Sequence, residues 1–173
     1  MAPLQPWHDF FLLTGTAAAT LLGLVFVAGS IAATIPNEKL GDASNRAIWV
    51  LPIVYAFIRV LAVSAVGLIP AESPRTFGGF LALFAILDLG RMVWVTRGMV
   101  RAQRTGLEQQ TLGDWFWYVI YPCAATTSLG VTGAVLVASG PLLAATLAIG
   151  LIAHLVIGVH NAWELTEWLA TRT

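Results

Sequence analysis

Apolar residues dominate this chain in five long runs, separated by short polar stretches. Each run has about 20 or more mainly apolar residues, enough to cross a hydrocarbon core of about 30 Å as a helix. They cover residues 9–33, 47–69, 77–100, 115–139 and 141–169. Apolar side chains surround each run instead of forming one stripe, so the pattern predicts helices that face lipid or are buried all round. Proline punctuates the ends: Pro36 follows the first run, Pro70 and Pro74 bracket the loop after the second, and Pro141 can occupy the first turn of the fifth. Pro52 and Pro122 read as lying near the starts of runs two and four, where a missing N–H costs least. The turn Ser139-Gly140-Pro141 is so short that runs four and five are expected to form an antiparallel hairpin. The expected fold is all-α, a polytopic bundle of five transmembrane helices, with residues 1–173 forming one transmembrane domain.

Composition agrees with that pattern and excludes other classes. With 58% hydrophobic and 10% charged residues in 173, the chain lacks the polar faces a soluble domain needs. Net charge is zero and there is no basic block, so no nucleic-acid partner is expected. Cys123 is the only cysteine, which rules out an internal disulfide and a thiolate metal site. No positive n-region precedes the first apolar run, so that run is expected to be retained as a span and not cleaved as a signal peptide.

The few basic residues set an orientation. Lys39 and Arg46 follow the first run, Arg97, Arg101 and Arg104 follow the third, and Arg172 ends the chain, whereas the opposite side carries only Arg75. The positive-inside rule then predicts an outer N-terminus and a cytoplasmic C-terminus. Trp49, Trp115, Trp117, Trp163 and Trp168 fall near the inner interface as an aromatic belt.

Small residues recur at steps of four on three runs. Gly15, Ala19 and Gly23 lie on the first, Thr126, Gly130, Ala134 and Ala138 on the fourth, and Gly150, His154, Gly158 and Ala162 on the fifth. Such stripes let helix backbones approach closely in lipid. They serve packing within the chain or a seam between copies, the first run being the most plausible seam for self-association.

Ionisable groups at depth are the default functional candidates in a membrane. Arg59 and Asp88 come out near the midplane, with Arg91 one turn further along and Tyr55 one turn before Arg59. Two readings stand side by side. Arg59 and Asp88 pair to pin two helices, or the set forms a polar conduit in which an uncompensated Arg91 attracts a ligand. The last run adds a polar flank of His160, Asn161 and Glu164, with Glu167 nearer its end. His154 stands apart at midplane depth. It bridges to a neighbouring helix, joins a proton or ion path, or ligates a tetrapyrrole, for which Gly150 and Gly158 would leave room. A metal at His160 and Glu164 would have only two ligands, and no catalytic metal or nucleophile signature occurs. His8 and Asp9 read as a helix cap. No metal site, catalytic residue or cofactor is expected, with haem or a metal ion the lesser alternative.

The first run, FFLLTGTAAATLLGLVFVAGSIAAT from Phe10 to Thr34, resembles the opening of small bacterial integral membrane proteins that lack a characterised function. That resemblance implies a bacterial inner-membrane setting and carries no activity or site residues. Five spans and many tryptophans are also similar to the translocator-protein architecture, but its proline- and tryptophan-rich ligand motif does not occur here. The function expected is non-enzymatic: an oligomeric channel or transporter-like unit, or an accessory subunit of a larger membrane complex. The alternative is a membrane-embedded redox or metal-dependent enzyme using the histidines of the last run.

Overall fold

A computed structural model of the chain describes residues 4–32, 43–69, 73–104 and 111–170. Among these residues every regular element is helical. After a 3-10 turn at Gln5–Trp7 come α1 (His8–Ala32), α2 (Ala43–Gly67), α3 (Pro74–Arg104), α4 (residues 112–137) and α5 (Ala144–Ala170). Five helices are long and apolar enough to cross a membrane, one for each run expected from the sequence. Hydroxyl side chains on their exposed faces bond back to their own helix: Thr20 to the Thr16 carbonyl, Ser30 to Phe26, Thr127 to Cys123 and Thr166 to Ala162. Back-bonding of this kind satisfies the hydroxyl donor without a partner outside the helix. Pro36, Lys39, Pro70 and Arg172, and the side chains of Arg46, Trp49 and Trp168, lie outside the described residues.

Several boundaries differ from the sequence reading, each for a local reason. Helix α4 begins at Leu112, before Trp115, because Thr111 caps it: the Thr111 hydroxyl accepts from the Asp114 N–H, and the Asp114 carboxylate accepts from the Thr111 N–H at 2.7 Å. Residues Phe116–Ile120 then widen into a π turn, with the Tyr121 N–H reaching back to the Phe116 carbonyl. The wide turn leads directly into Pro122, which has no N–H to donate and whose ring crowds the preceding turn. Pro52 is well inside α2 and not near its start, since that helix already begins at Ala43.

Pro141 is not in the first turn of α5; it lies in the connection before Ala144. The reason is the way α4 ends. Ser139 takes a left-handed conformation (φ 62°), its N–H donates to the Leu136 carbonyl, and the Gly140 N–H donates to the Val135 carbonyl at 2.8 Å. That is a Schellman ending with serine where glycine is usual. The Arg75 guanidinium donates to the Ser139 hydroxyl at 2.6 Å and 3.0 Å. Gly140 is required by close approach, since a methyl group on it would lie 2.5 Å from Val135 Cγ1.

Packing divides the chain into two compact units that share α5. One contains α3, α4 and α5 up to Ala153, with Leu4–His8. Its core holds Phe77, Leu81 and Ala85 of α3, Ala125, Leu129 and Leu136 of α4, and Leu147 and Leu151 of α5. Helices α4 and α5 run antiparallel, as the short turn requires: Thr132 donates to Thr146 at 3.1 Å, and Gly150 lies against Ser128 and Leu129. Helices α3 and α4 are antiparallel too, with Gly78 against Gly133 and Leu136, and Ala85 against Gly130. The other unit contains α1 from Asp9, α2, and α5 from His154. There Phe11 packs on Gly67, Thr14 meets Ser64, and Phe57 fills the space beside Gly158.

Candidate functional site

Each unit buries polar groups that a purely apolar helix would not carry. In the first, the central feature is Asp88, close to the middle of α3 and only 7% exposed. Its Oδ1 accepts from Arg91 Nε at 3.2 Å, and its Oδ2 accepts from the Thr126 hydroxyl of α4 at 2.7 Å. The i, i+3 spacing places both side chains on one flank of α3, and the long arginine folds back along the helix. Arg91 is therefore not the uncompensated cation of the conduit reading; it is bound to Asp88. A carboxylate with a partner on each oxygen is what an apolar surrounding demands, because an ion buried alone would be very costly.

Thr126 completes this group and was read from sequence only as part of a small-residue stripe. Its β-hydroxyl was the available signal, since Ser and Thr commonly bridge membrane helices. Thr14 and Ser64, whose hydroxyls meet at 2.9 Å in the second unit, were missed for the same reason.

The second unit holds Arg59 (3% exposed) on α2, and His154 and Asn161 on α5, both essentially sealed from the surface. Tyr55, one turn before Arg59, lies on the exposed side of α2. Asn161 has both amide atoms, Oδ1 and Nδ2, buried without a hydrogen-bond partner. On the neighbouring, outward side of the helix, His160 Nε2 meets Glu164 Oε1 at 3.0 Å, both half-exposed. The polar flank expected on this helix thus divides into an accessible His–Glu pair and a sealed Asn161.

The glycines take different roles. A methyl group on Gly15 would come 3.0 Å from Ser64 Cβ, and one on Gly130 would come 2.9 Å from Ala85 Cβ. Ala19, Gly23 and Ala134 are exposed, and nothing lies within 4 Å of a methyl placed on Gly23. On α4 the close contacts follow Gly130 and Gly133, a step of three, so Ala134 turns outward. Gly78 of α3, which the sequence reading passed over, is the partner that Gly133 needs.

The room foreseen beside His154 for a flat macrocycle is already filled. A methyl on Gly150 would lie 2.5 Å from Ser128 Oγ, and one on Gly158 would lie 2.6 Å from the Phe57 ring. Among the described residues, no three His, Cys, Asp or Glu side chains are grouped to hold a metal ion. Searches against protein-family models, curated proteins and solved structures return no match to the chain.

Proposed function

We propose that this chain is a small, non-enzymatic, multi-pass protein of the bacterial cytoplasmic membrane, acting as a channel or transporter-like unit, alone or within a larger complex. Its N-terminus lies outside and its C-terminus in the cytoplasm, on the distribution of arginine and lysine. It self-associates through lateral surface that the chain itself leaves uncovered, including Ala19 and Gly23 of α1.

The observation that carries this reading is the buried Asp88 carboxylate, shared between Arg91 and Thr126 in the middle of an apolar helix. Intramembrane ionisable residues are expensive, and they mark ion and proton paths. A proton or small cation reaching Asp88 would take the place of the Arg91 guanidinium, and departure would restore the pair. Arg59 and His154, buried within the other unit, are separate candidates for proton or ion handling on their burial and chemistry.

Reconstitution into liposomes with proton and ion flux assays tests the proposal. Arg91→Ala and His154→Ala are each expected to slow the flux several-fold. Flux unchanged in both variants would remove the conduit and leave a scaffold.

A further inference from the structure

The face of α3 that turns away from its packing partners changes character along its length. The packed side carries Phe77, Gly78, Leu81, Ala85, Asp88 and Met92, all buried. Roughly opposite, at about 100° per residue, lie Leu83, Ile86, Leu87, Gly90, Trp94, Arg97, Arg101 and Arg104. All of these are exposed, Trp94 at 70%. The stripe is aliphatic first, then open at Gly90, where an added methyl meets nothing within 4 Å, then aromatic, then cationic.

Its spacing fits a bilayer. From Pro74 to Trp94 the helix rises about 30 Å, the thickness of a hydrocarbon core. A tryptophan at that depth sits at headgroup level, the usual position of an interfacial aromatic residue. Arg97 and Arg101 follow about 5 Å and 10 Å beyond it, within the headgroup layer, and Arg104 lies at its outer edge. The 31 residues of α3 make it about 46 Å long, so its last turns must leave the apolar core whatever its start. The sequence from Arg97 to Gln110 holds three arginines and one acid, Glu108.

We infer that this face is a binding stripe for an anionic phospholipid. An acyl chain lies along Leu83, Ile86 and Leu87 and over the notch at Gly90, Trp94 packs at the glycerol level, and the phosphate is held by Arg97 and Arg101. Arginine suits this task because its planar fork donates two parallel hydrogen bonds to phosphate oxygens. A purely solvated basic stripe would not need the tryptophan and the aliphatic run in line with it. The inference depends on the helix spanning a bilayer but not on what the protein transports.

The test uses the full chain in vesicles of phosphatidylcholine containing a minor share of phosphatidylglycerol, with bromine on the tails of one lipid at a time. The Trp94 signal is isolated as the difference between the natural chain and Trp94→Phe. Brominated phosphatidylglycerol is expected to quench Trp94 several-fold more than its share of the lipid predicts. That preference disappears in R97Q/R101Q/R104Q or in high salt, and largely survives in R97K/R101K/R104K. Should the glutamine variant fail to insert, the salt series on the natural chain decides alone.

Quenching in proportion to lipid composition overturns the proposal, as does a preference that survives both the glutamine variant and high salt. Quenching by neither lipid overturns it too, and points to a second copy covering the face. Vesicle flotation separates the premises: a chain that does not float with the vesicles refutes the membrane reading itself.

Discussion

Gly133 of α4 and Gly23 of α1 lie in similar text, glycine among alanine, leucine, valine and threonine, yet their surroundings are opposite. A methyl group on Gly133 would come 2.7 Å from the Gly78 carbonyl oxygen and 2.7 Å from the Ala82 nitrogen. On Gly23 it would meet nothing within 4 Å, and Leu24, Phe26, Val27 and Ile31 around it are exposed. What separates them is the facing helix. Helix α3 offers Gly78, Ala82 and Ala85 to α4, so backbones on both sides can close, whereas among the described residues nothing lies within 4 Å of a methyl group on Gly23 or Gly29 of α1. A small-residue stripe therefore signals close packing only where another small surface answers it.

The sharpest way to break this comparison is substitution at its packed end. Gly133→Val should destabilise the fold by about 1–3 kcal/mol or more, because the obstructing atoms are backbone and cannot rotate away. Unfolding in mild detergent, followed by helix signal against temperature, reads it; an unchanged transition would mean that α3 and α4 are not in contact at this point.

Next in size is the polar tie across the same pair of helices. Thr126→Val keeps the shape and removes the donor to Asp88 Oδ2, so about 1–3 kcal/mol should be lost. The double variant Thr126→Val with Asp88→Asn should cost less than the sum of the two, as expected for partners in one network. Additive losses would show that the two residues act separately.

Asn161 supplies a case of opposite sign. Its amide is buried with neither atom bonded, so Asn161→Leu, which keeps the number and branching of its side-chain heavy atoms, should leave stability unchanged or raise it by about 1–2 kcal/mol. A clear loss would show that the amide has a partner under working conditions. The smallest effect is expected at the bare end of the comparison: Gly23→Ala should raise monomer stability by no more than about 0.5–1 kcal/mol, the ordinary gain of alanine over glycine within a helix. Chemical cross-linking of the same variant asks whether that open face serves a seam between copies.

The helices themselves were readable from the sequence because an apolar run of spanning length has few other options. Their ends were less so, since they depend on caps that apolar counting ignores. Thr111 and Asp114 could have been found as a T-x-x-D start, but the left-handed Ser139 could not, because glycine is the residue that usually takes that conformation. The closeness of Asp88 and Arg91 followed from their spacing. The hydroxyl on the other carboxylate oxygen did not, because it comes from α4 through a helix register that no local pattern encodes. Likewise, spacing alone marked Gly150 and Gly158 as small but could not say that Leu129 and Phe57 fill the room they leave.

The proposed conduit requires Asp88 to be a working group and not merely a tie between helices. Proton flux into dye-loaded proteoliposomes, measured for the natural chain, Asp88→Asn and Thr126→Val at matched amounts of folded protein, tests that directly. We predict flux above protein-free vesicles for the natural chain, most of it retained in Thr126→Val, and a fall to the protein-free level in Asp88→Asn. Natural-chain flux no greater than that of empty vesicles, or full flux in Asp88→Asn, would contradict it.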